Sequence, residues 1–532
     1  MSPQDAKTTG AQLPDEKRSA KAAEAEENIA MSKLESITPG EVVELDATET
    51  FLREHNFTNE YLEELMSDAD LNKRLIRKVD MVLLPLLMGT YMLQYIDKTT
   101  MAYSAVFDLF TDTGISSDQY SWFASIFYFA YMVAEYPWLF LAQKTRMGKV
   151  IAGCVLAWGS VLMLTAAGHN FGGLAACRFF LGVFEAPITT CFMMIVSMWY
   201  TREQQPFRAG IFYCCNGVGS MVGGILTFGI GQINGFPIWK AVFLVCGGMT
   251  VVWGLILLFF LPDSILTAKR FTLEERALLI GRGRLARTGI LNQTIKWYQV
   301  REAFIDPQVW LLFLFMLLNE VINGGIANFG KLIIKGVVHD PLQTVALGIP
   351  QGAFQVFYIL SGTYLASRIK NWRTIIMMIY LLPTVVGVCL MWKLDRSHKV
   401  GVLFSYYIVG AFVCSLVLAM QMPATNLGGY TKRITASAMV FIAYCAGNII
   451  GPHAFLGREA PNYQTGCITI LGCSVGQVLV AIALRLLLIS RNKRRDAAMA
   501  AIGEVDTDAA ATEGADITDF ENPHFRYVLT ST

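Results

Sequence analysis

Charged side chains are scarce in this chain. Asp, Glu, Lys and Arg make up 16% of its 532 residues, whereas soluble domains contain about 25%. Hydrophobic residues make up 54%. This composition excludes an ordinary water-soluble domain and predicts a protein that crosses a lipid bilayer many times. The formal net charge is +1, so no electrostatic field favours a nucleic acid as partner.

Patterns typical of catalysis and metal binding are also missing. The eleven cysteines all fall in apolar stretches, no two have Cys-x-x-Cys spacing, and the histidines do not cluster. We expect these cysteines to be small core residues rather than disulfides or metal ligands. There is no glycine-rich phosphate loop and no nucleophile beside a base. The sequence predicts neither an enzyme nor a cofactor or metal site.

A signal peptide is absent as well. The first 60 residues are rich in Ala, Glu, Lys, Ser and Thr and contain no apolar core. We predict a disordered tail over residues 1–70. From Thr58 to Asp80 leucines recur at helical spacing. That pattern fits either a helix along the membrane face or a charged flank that orients the first span.

Apolar segments of spanning length, about 20 residues each, follow one another twelve times. A polar stretch at residues 262–306 separates six from six. We predict an all-α membrane protein with twelve transmembrane helices in two six-helix bundles, residues 71–261 and 307–490, followed by a tail at 491–532. The spans lie near residues 79–98, 119–141, 149–168, 172–198, 208–231, 239–261, 308–330, 343–366, 374–393, 400–422, 434–455 and 466–489.

Lysine and arginine concentrate in alternate connections. They precede span one, separate spans two and three, eight and nine, and ten and eleven, and follow span twelve. Three basic residues after span nine, Lys393, Arg396 and Lys399, go against this trend. Because cytosolic connections carry the excess of positive charge, we predict that both termini and the central loop are cytosolic.

Span four contains an arginine and a glutamate, Arg178 and Glu185. Seven residues make two helical turns, so both side chains face the same way, roughly 10 Å apart along the axis. Ionisable groups at this depth are costly and usually face a protein interior or a water-filled path. The pair therefore indicates coupled movement of charge and solute, or an ion pair that only locks packing.

Four short stretches resemble the anion:cation symporter branch of the major facilitator superfamily. They are Tyr95-Ile-Asp97-Lys98, residues 125–131, Glu135-Tyr-Pro137 and residues 178–186. Four more narrow the resemblance to the fungal allantoate permease family: residues 197–206, 216–224, 349–355 and 443–452. The resemblance extends over residues 77–495. The layout of six spans, a long loop and six spans is that of a transporter fold whose solute site lies between the halves.

The resemblance implies a proton-coupled carrier of small organic anions that works by alternating access. It implies that Asp97 and Glu185 take up protons, and that Lys98 and Arg178 couple this uptake to the substrate or the gate. The bacterial sugar-acid symporters of this branch carry arginine at the position of Lys98. Since lysine has no planar fork, Lys98 cannot bind a carboxylate in the bidentate way. The resemblance further implies a fungal plasma membrane, with the chain working as a monomer in the lipid bilayer.

Other polar side chains within the spans are candidates for orienting the substrate. The alternative for each is an interhelical hydrogen bond or, for tyrosine, a place at the membrane interface. These residues are Tyr95, Tyr128, Tyr131, Asn216, Gln351, Gln355 and Asn448. Near the cytosolic end of span two, Glu135 is expected to hold a gate with the basic connection that contains Arg146.

Span seven has an unusual group of polar residues around Gly324 and Gly325: Asn319, Glu320, Asn323 and Asn328. The pattern favours either close helix packing or a broken helix that lines a cavity. Glu320 and Asn323 share one helix face, and the sequence leaves open whether this face borders the cavity.

The resemblance thus implies uptake of an allantoate-like, ureidosuccinate-like or nicotinate-like carboxylate with protons. Two alternatives remain. Proton coupling works in either direction, so the same scaffold suits an efflux carrier that exports a fungal secondary metabolite. A nutrient-sensing transceptor would need the tails for partner binding.

Overall fold

The computed structural model describes residues 51–52, 54–55, 57, 59–201, 204–285, 295–369, 372–502, 517–522 and 525–527. Of the tail predicted over residues 1–70, residues 1–50 lie outside these ranges. Within them the regular secondary structure is helical.

The predicted all-helical class and the twelve spans are confirmed. Ten of the spans are long and apolar enough to cross a bilayer by length and composition, and spans two and five complete the set. From one to twelve they are Ala69–Ser104, Ser117–Lys144, Met147–Thr165, Phe171–Glu185 with Pro187–Trp199, Gln205–Ile230, Ile238–Phe260, Pro307–Val338, Pro341–Gly348 with Pro350–Arg368, Arg373–Lys393, Lys399–Val409 with Phe412–Met420 and Met422–Asn426, Tyr430–Ile450, and Gln464–Ile502.

Short helices connect the spans. They are Asn59–Ser67, Leu109–Thr113, Leu273–Leu285, Trp297–Ile305 and two 3₁₀ turns, Gly451–Ala454 and Gly457–Glu459. The helix Asn59–Ser67 packs on Leu273–Leu285, the first helix of the central loop, through Leu62 and Ala277. The loop is therefore folded against the chain that precedes span one.

Proline interrupts two of the spans. In span four the first segment ends at Glu185 and the second begins with Pro187. Because proline has no N–H to donate to the preceding turn, the helix breaks there. Span eight is interrupted in the same way before Pro350. The break in span four places the carboxylate of Glu185 at an irregular point of the backbone.

The two halves meet along spans two and eleven and along spans five and eight. Glycines permit the second contact: a Cβ atom at Gly352 would lie 2.6 Å from the carbonyl oxygen of Gly217. Only hydrogen fits at such a distance. A solute path between the halves stays a prediction.

Direct hydrogen bonds join the halves at one end of the bundle. We call this end the opposite side, and the end where span one begins and span twelve ends the terminal side. On the opposite side the Tyr120 hydroxyl donates to the carbonyl of Asn328 (3.1 Å), and the Ser121 hydroxyl donates to that of Pro452 (3.2 Å). Spans two, seven and eleven are thereby tied together there.

On the terminal side, residues 517–522 and 525–527, the tail segment, pack on the second half. Lys432 Nζ lies 2.7 Å from Asp519 Oδ1 and 3.2 Å from Asp306 Oδ2, and all three side chains are fully buried. Tyr527 donates its hydroxyl to Asp519 (2.7 Å), and Arg491 contacts Asp306 (2.6 Å). This ionic cluster joins spans seven, eleven and twelve to the tail segment.

Removing the charge of Asp519 is expected to destabilise the protein. Breaking one partner of a buried ion pair costs about 3 kcal/mol, because the other charge stays desolvated. Asp519→Asn should therefore lower the unfolding temperature of the purified protein in detergent. The control is Asp496→Asn, since Asp496 pairs with Arg526 on an exposed surface (3.0 Å) and such pairs contribute about 0–1 kcal/mol. Equal shifts for both variants would contradict the buried role of Asp519.

Candidate functional site

Spans one and four bring a lysine and a glutamate together in the middle of the first half. Lys98 Nζ lies 3.6 Å from Glu185 Oε2. Glu185 is fully buried, whereas 24% of the Lys98 side chain is exposed. The ammonium group also stands 5.3 Å from the centre of the Tyr131 ring, in cation–π range. The ion partner of Glu185 is thus Lys98.

Arg178 lies on span four two helical turns nearer the opposite side than Glu185 and makes no ion pair within 4 Å with any described residue. Its side chain is buried, and Nε and Nη2 have no hydrogen-bond partner in the described chain. Arg178 therefore keeps hydrogen-bond donors unused, close to the contacts that join the halves on the opposite side.

Asp97 is held within the first half. Its Oδ2 accepts hydrogen bonds from Trp158 Nε1 of span three (2.8 Å) and from the Thr250 hydroxyl of span six (2.7 Å). The Oδ1 atom is buried and has no partner in the described chain. Asp97 and Lys98 are adjacent in sequence but contact different spans. The carboxylate of Asp97 lies between spans three and six, and the ammonium group of Lys98 contacts Glu185 of span four.

The second half has a buried carboxylate of its own, on span seven. Glu320 Oε2 accepts hydrogen bonds from Asn448 Nδ2 of span eleven (2.6 Å) and from Asn323 Nδ2 (3.0 Å). Asn323 also donates to Asn448 Oδ1 (3.0 Å). Glu320 is fully buried, and its Oε1 has no partner in the described chain. We call these three residues the Glu320 cluster.

Close approach of spans seven and eleven makes this cluster possible. A Cβ atom at Gly447 would lie 2.5 Å from Glu320 Cβ and 2.6 Å from the carbonyl oxygen of Leu317. A Cβ atom at Gly324 would lie 3.0 Å from Asn448 Cα. The glycines noticed in the sequence therefore serve close packing here, and this packing brings Asn448 to Glu320.

Aromatic rings connect the two polar groups across the interface between the halves. Tyr128 of span two and Tyr444 of span eleven are in edge-to-face contact, with ring centres 6.0 Å apart. Tyr131 packs against Phe441 (5.7 Å). Lys98 Nζ lies 5.3 Å from the centre of the Tyr131 ring, and the Tyr131 and Tyr128 ring centres are 6.3 Å apart. Lys98, Tyr128, Tyr444 and Glu320 therefore border one central region.

The remaining predicted substrate residues lie along spans one, five and eight. The Tyr95 hydroxyl interacts with the side chain of Gln355 across the interface. Gln351 is buried and its Oε1 is unpartnered in the described chain. Asn216 is half-buried on span five. The structure thus brings Tyr95 and Gln355 together and leaves Asn216 apart from the Glu320 cluster.

The two predicted gate residues are not brought together in this conformation. Glu135 accepts a hydrogen bond from the Thr190 hydroxyl of span four (2.5 Å). Arg146 is exposed and precedes the first turn of span three. The contact of this basic connection is made by Lys149, whose backbone N–H donates to Asp263 Oδ1, beyond the end of span six (3.1 Å). A contact between Glu135 and Arg146 stays a prediction for another conformation.

Sequence reasoning did not identify the partners of the charged residues. Trp158 and Thr250, which hold Asp97, look like ordinary apolar-span residues in the sequence. Glu320 was noticed, but the pattern did not decide which way it faces. The signal available for Glu320 was its spacing from Asn323, combined with a second amide, Asn448, in a glycine-rich part of span eleven.

The arrangement suits binding of a charged solute between the halves. The first half offers cationic donors at Lys98 and Arg178, and the second offers an acceptor at Glu320. Glu185 competes with any anion for Lys98. Such a centre can exchange an internal ion pair for a contact with a bound solute.

Comparisons with known proteins agree on one family. The Major Facilitator Superfamily matches residues 87–452. An uncharacterized transporter of Schizosaccharomyces pombe, C757.13, is 35% identical over 472 residues, covering 87% of this chain and 90% of its own. The allantoate permease of Saccharomyces cerevisiae is 30% identical over 475 residues, covering 86% of this chain and 87% of its own.

A solved structure shares the fold. A bacterial homologue of the human lysosomal transporter Spinster, in an inward-facing and occupied conformation, matches with a TM-score of 0.55. Its sequence is 16% identical, and the match covers 76% of this chain and 96% of the bacterial one. At this identity the likeness concerns the fold alone.

A methyl group at Gly447 is expected to disrupt the Glu320 cluster. Gly447→Ala would force spans seven and eleven apart, since its Cβ would lie 2.5 Å from Glu320 Cβ. Overpacking of this kind costs about 1–3 kcal/mol. The variant should unfold at a lower temperature in detergent, whereas Gly472→Ala, where nothing lies within 4 Å, should not. A normal unfolding temperature for Gly447→Ala would show that the two spans have room to separate.

Proposed function

The chain belongs to the Major Facilitator Superfamily, and we propose that it imports a small organic anion together with protons by alternating access. It is a multi-pass membrane transporter rather than an enzyme. The substrate class, the coupling to protons and the direction are the parts that we propose.

The observation that carries the proposal is the buried contact between Lys98 and Glu185. While Glu185 is ionised it occupies the cation that an anionic substrate needs. Protonation of Glu185 removes that competition and leaves the partly buried Lys98 without its ion partner, which is costly within a bilayer unless an anion binds. A proton and an anion are therefore expected to bind together.

The other charges of the first half support the same cycle. Asp97 accepts two hydrogen bonds on one oxygen and keeps the other free for a proton. Arg178 has hydrogen-bond donors without a partner in the described chain, and these donors would stabilise an anion near Glu185. We assign Asp97 and Glu185 to proton coupling, and Lys98 and Arg178 to anion binding or to the coupling of anion and gate.

We further propose that both termini face the cytosol and that the protein resides in the plasma membrane. The distribution of Lys and Arg among the connections supports this orientation. The hydrogen bonds of Tyr120 and Ser121 then hold the outer end closed. All proposed coupling residues lie in one chain, which suits a monomer.

Similarity to an allantoate permease supports a carboxylate as substrate. Candidates are allantoate, ureidosuccinate and nicotinate-like acids. The tyrosines, Gln351, Gln355, Asn216 and Asn448 would then orient the rest of the molecule by hydrogen bonds.

The experiment is uptake of a panel of radiolabelled organic anions by cells that express the chain, at acidic and neutral outside pH, with and without a protonophore. The proposal predicts accumulation of one compound that is faster at acidic pH and is abolished by the protonophore. Surface expression with no accumulation of any compound would contradict import and favour an exporter.

Replacing Glu185 by glutamine tests its coupling role. Glu185→Gln keeps the shape but cannot cycle a proton, so pH-driven accumulation should fall to background. Exchange of labelled for unlabelled substrate should persist, because exchange needs alternation but no net proton movement. The matched control is Glu64→Gln, which removes an exposed carboxylate from the helix Asn59–Ser67. Intact accumulation in Glu185→Gln would exclude this residue from coupling.

A further inference from the structure

Resting on the proposed anion transport, we propose that Glu320 accepts a hydrogen bond from an N–H group of the substrate. The carboxylate would bind at Lys98 in the first half and the N–H group at Glu320 in the second. Glu320 would thus be the specificity-determining residue of the second half.

Glu320 uses only one of its two carboxyl oxygens for hydrogen bonds within the described chain. Its Oε2 accepts both amide hydrogen bonds of the cluster, while the buried Oε1 has no partner in the described chain. A buried acceptor without a donor costs about 1–3 kcal/mol, and more when it is charged. A substrate N–H group would satisfy it.

A carboxylate at position 320 is more costly to bury than a neutral amide. A carboxylate that only locked spans seven and eleven together could be replaced by a neutral glutamine at a lower desolvation cost. Among the described residues Glu320 has no cation within 4 Å, unlike Glu185, which has Lys98. The carboxyl group of Glu320 therefore has no cationic partner among the described residues.

Aromatic contacts join Lys98 to the Glu320 cluster. Lys98 Nζ lies 5.3 Å from the centre of the Tyr131 ring, and this ring packs against Tyr128, with ring centres 6.3 Å apart. Tyr128 and Tyr444 lie in contact at the same place, one from each half, and Asn448 of the cluster donates to the Tyr444 carbonyl (3.0 Å). A molecule with an anionic end and an N–H end would touch both halves and would favour their closure around it.

The test uses paired carboxylates in which an ester replaces the N–H group. The pairs are N-acetylaspartate with O-acetylmalate and N-acetylglutamate with 2-acetoxyglutarate. Initial rates of proton-driven uptake are measured in proteoliposomes that contain the purified full chain, Glu320→Gln or the control Glu64→Gln. A site that hydrogen-bonds an N–H group discriminates strongly against an analogue without it.

We expect the wild-type chain and Glu64→Gln to prefer the N–H member of a pair by at least about tenfold. Glu320→Gln should reduce this preference to about twofold or less, while the ester is still transported. Equal uptake of both members by the wild-type chain would overturn the subsite and leave anion transport intact.

Two further outcomes would also overturn the subsite. If Glu320→Gln keeps the full preference, Glu320 does not read the N–H group. If it loses uptake of both members equally, Glu320 serves only the packing of spans seven and eleven. Should this variant fail to fold, the wild-type preference decides alone. Failure of every carboxylate to enter would instead contradict the proposed function itself.

Discussion

Buried charge is the constraint on which the rest of this structure depends. Within a bilayer each ionised side chain must find a partner or face water. In the first half, Glu185 finds Lys98, and Asp97 finds Trp158 and Thr250. In the second half, Glu320 finds two amides but no cation among the described residues. Arg178 and Glu320 keep polar atoms without a partner among the described residues, and we propose that these atoms contact the substrate.

The helices are shaped to place these groups. Pro187 breaks span four directly after Glu185, so that this carboxylate lies at an interruption of the backbone. Gly447 and Gly324 let spans seven and eleven approach until Asn448 reaches Glu320. At the terminal side, Lys432 and Asp519 join three spans to the tail segment. These contacts hold the helices of each half together.

Much of this architecture could be predicted from the sequence, because apolar length and the distribution of Lys and Arg depend on local composition. The count of spans and the division at the central loop followed from such patterns. The identity of partners did not. Helical spacing placed Arg178 and Glu185 on one face, yet the cation nearest Glu185 comes from span one, 87 residues earlier in the chain. Pairing between distant helices depends on tertiary packing, which no periodicity reports.

The central claim is that a proton and an anion move together. It is tested most directly by a pH-sensitive dye inside proteoliposomes that contain the purified chain, with empty liposomes correcting for diffusion of the free acid. Addition of an accumulated carboxylate outside should acidify the interior, and the acidification should disappear in Glu185→Gln. Entry of the labelled carboxylate with no acidification above that of empty liposomes would contradict proton coupling.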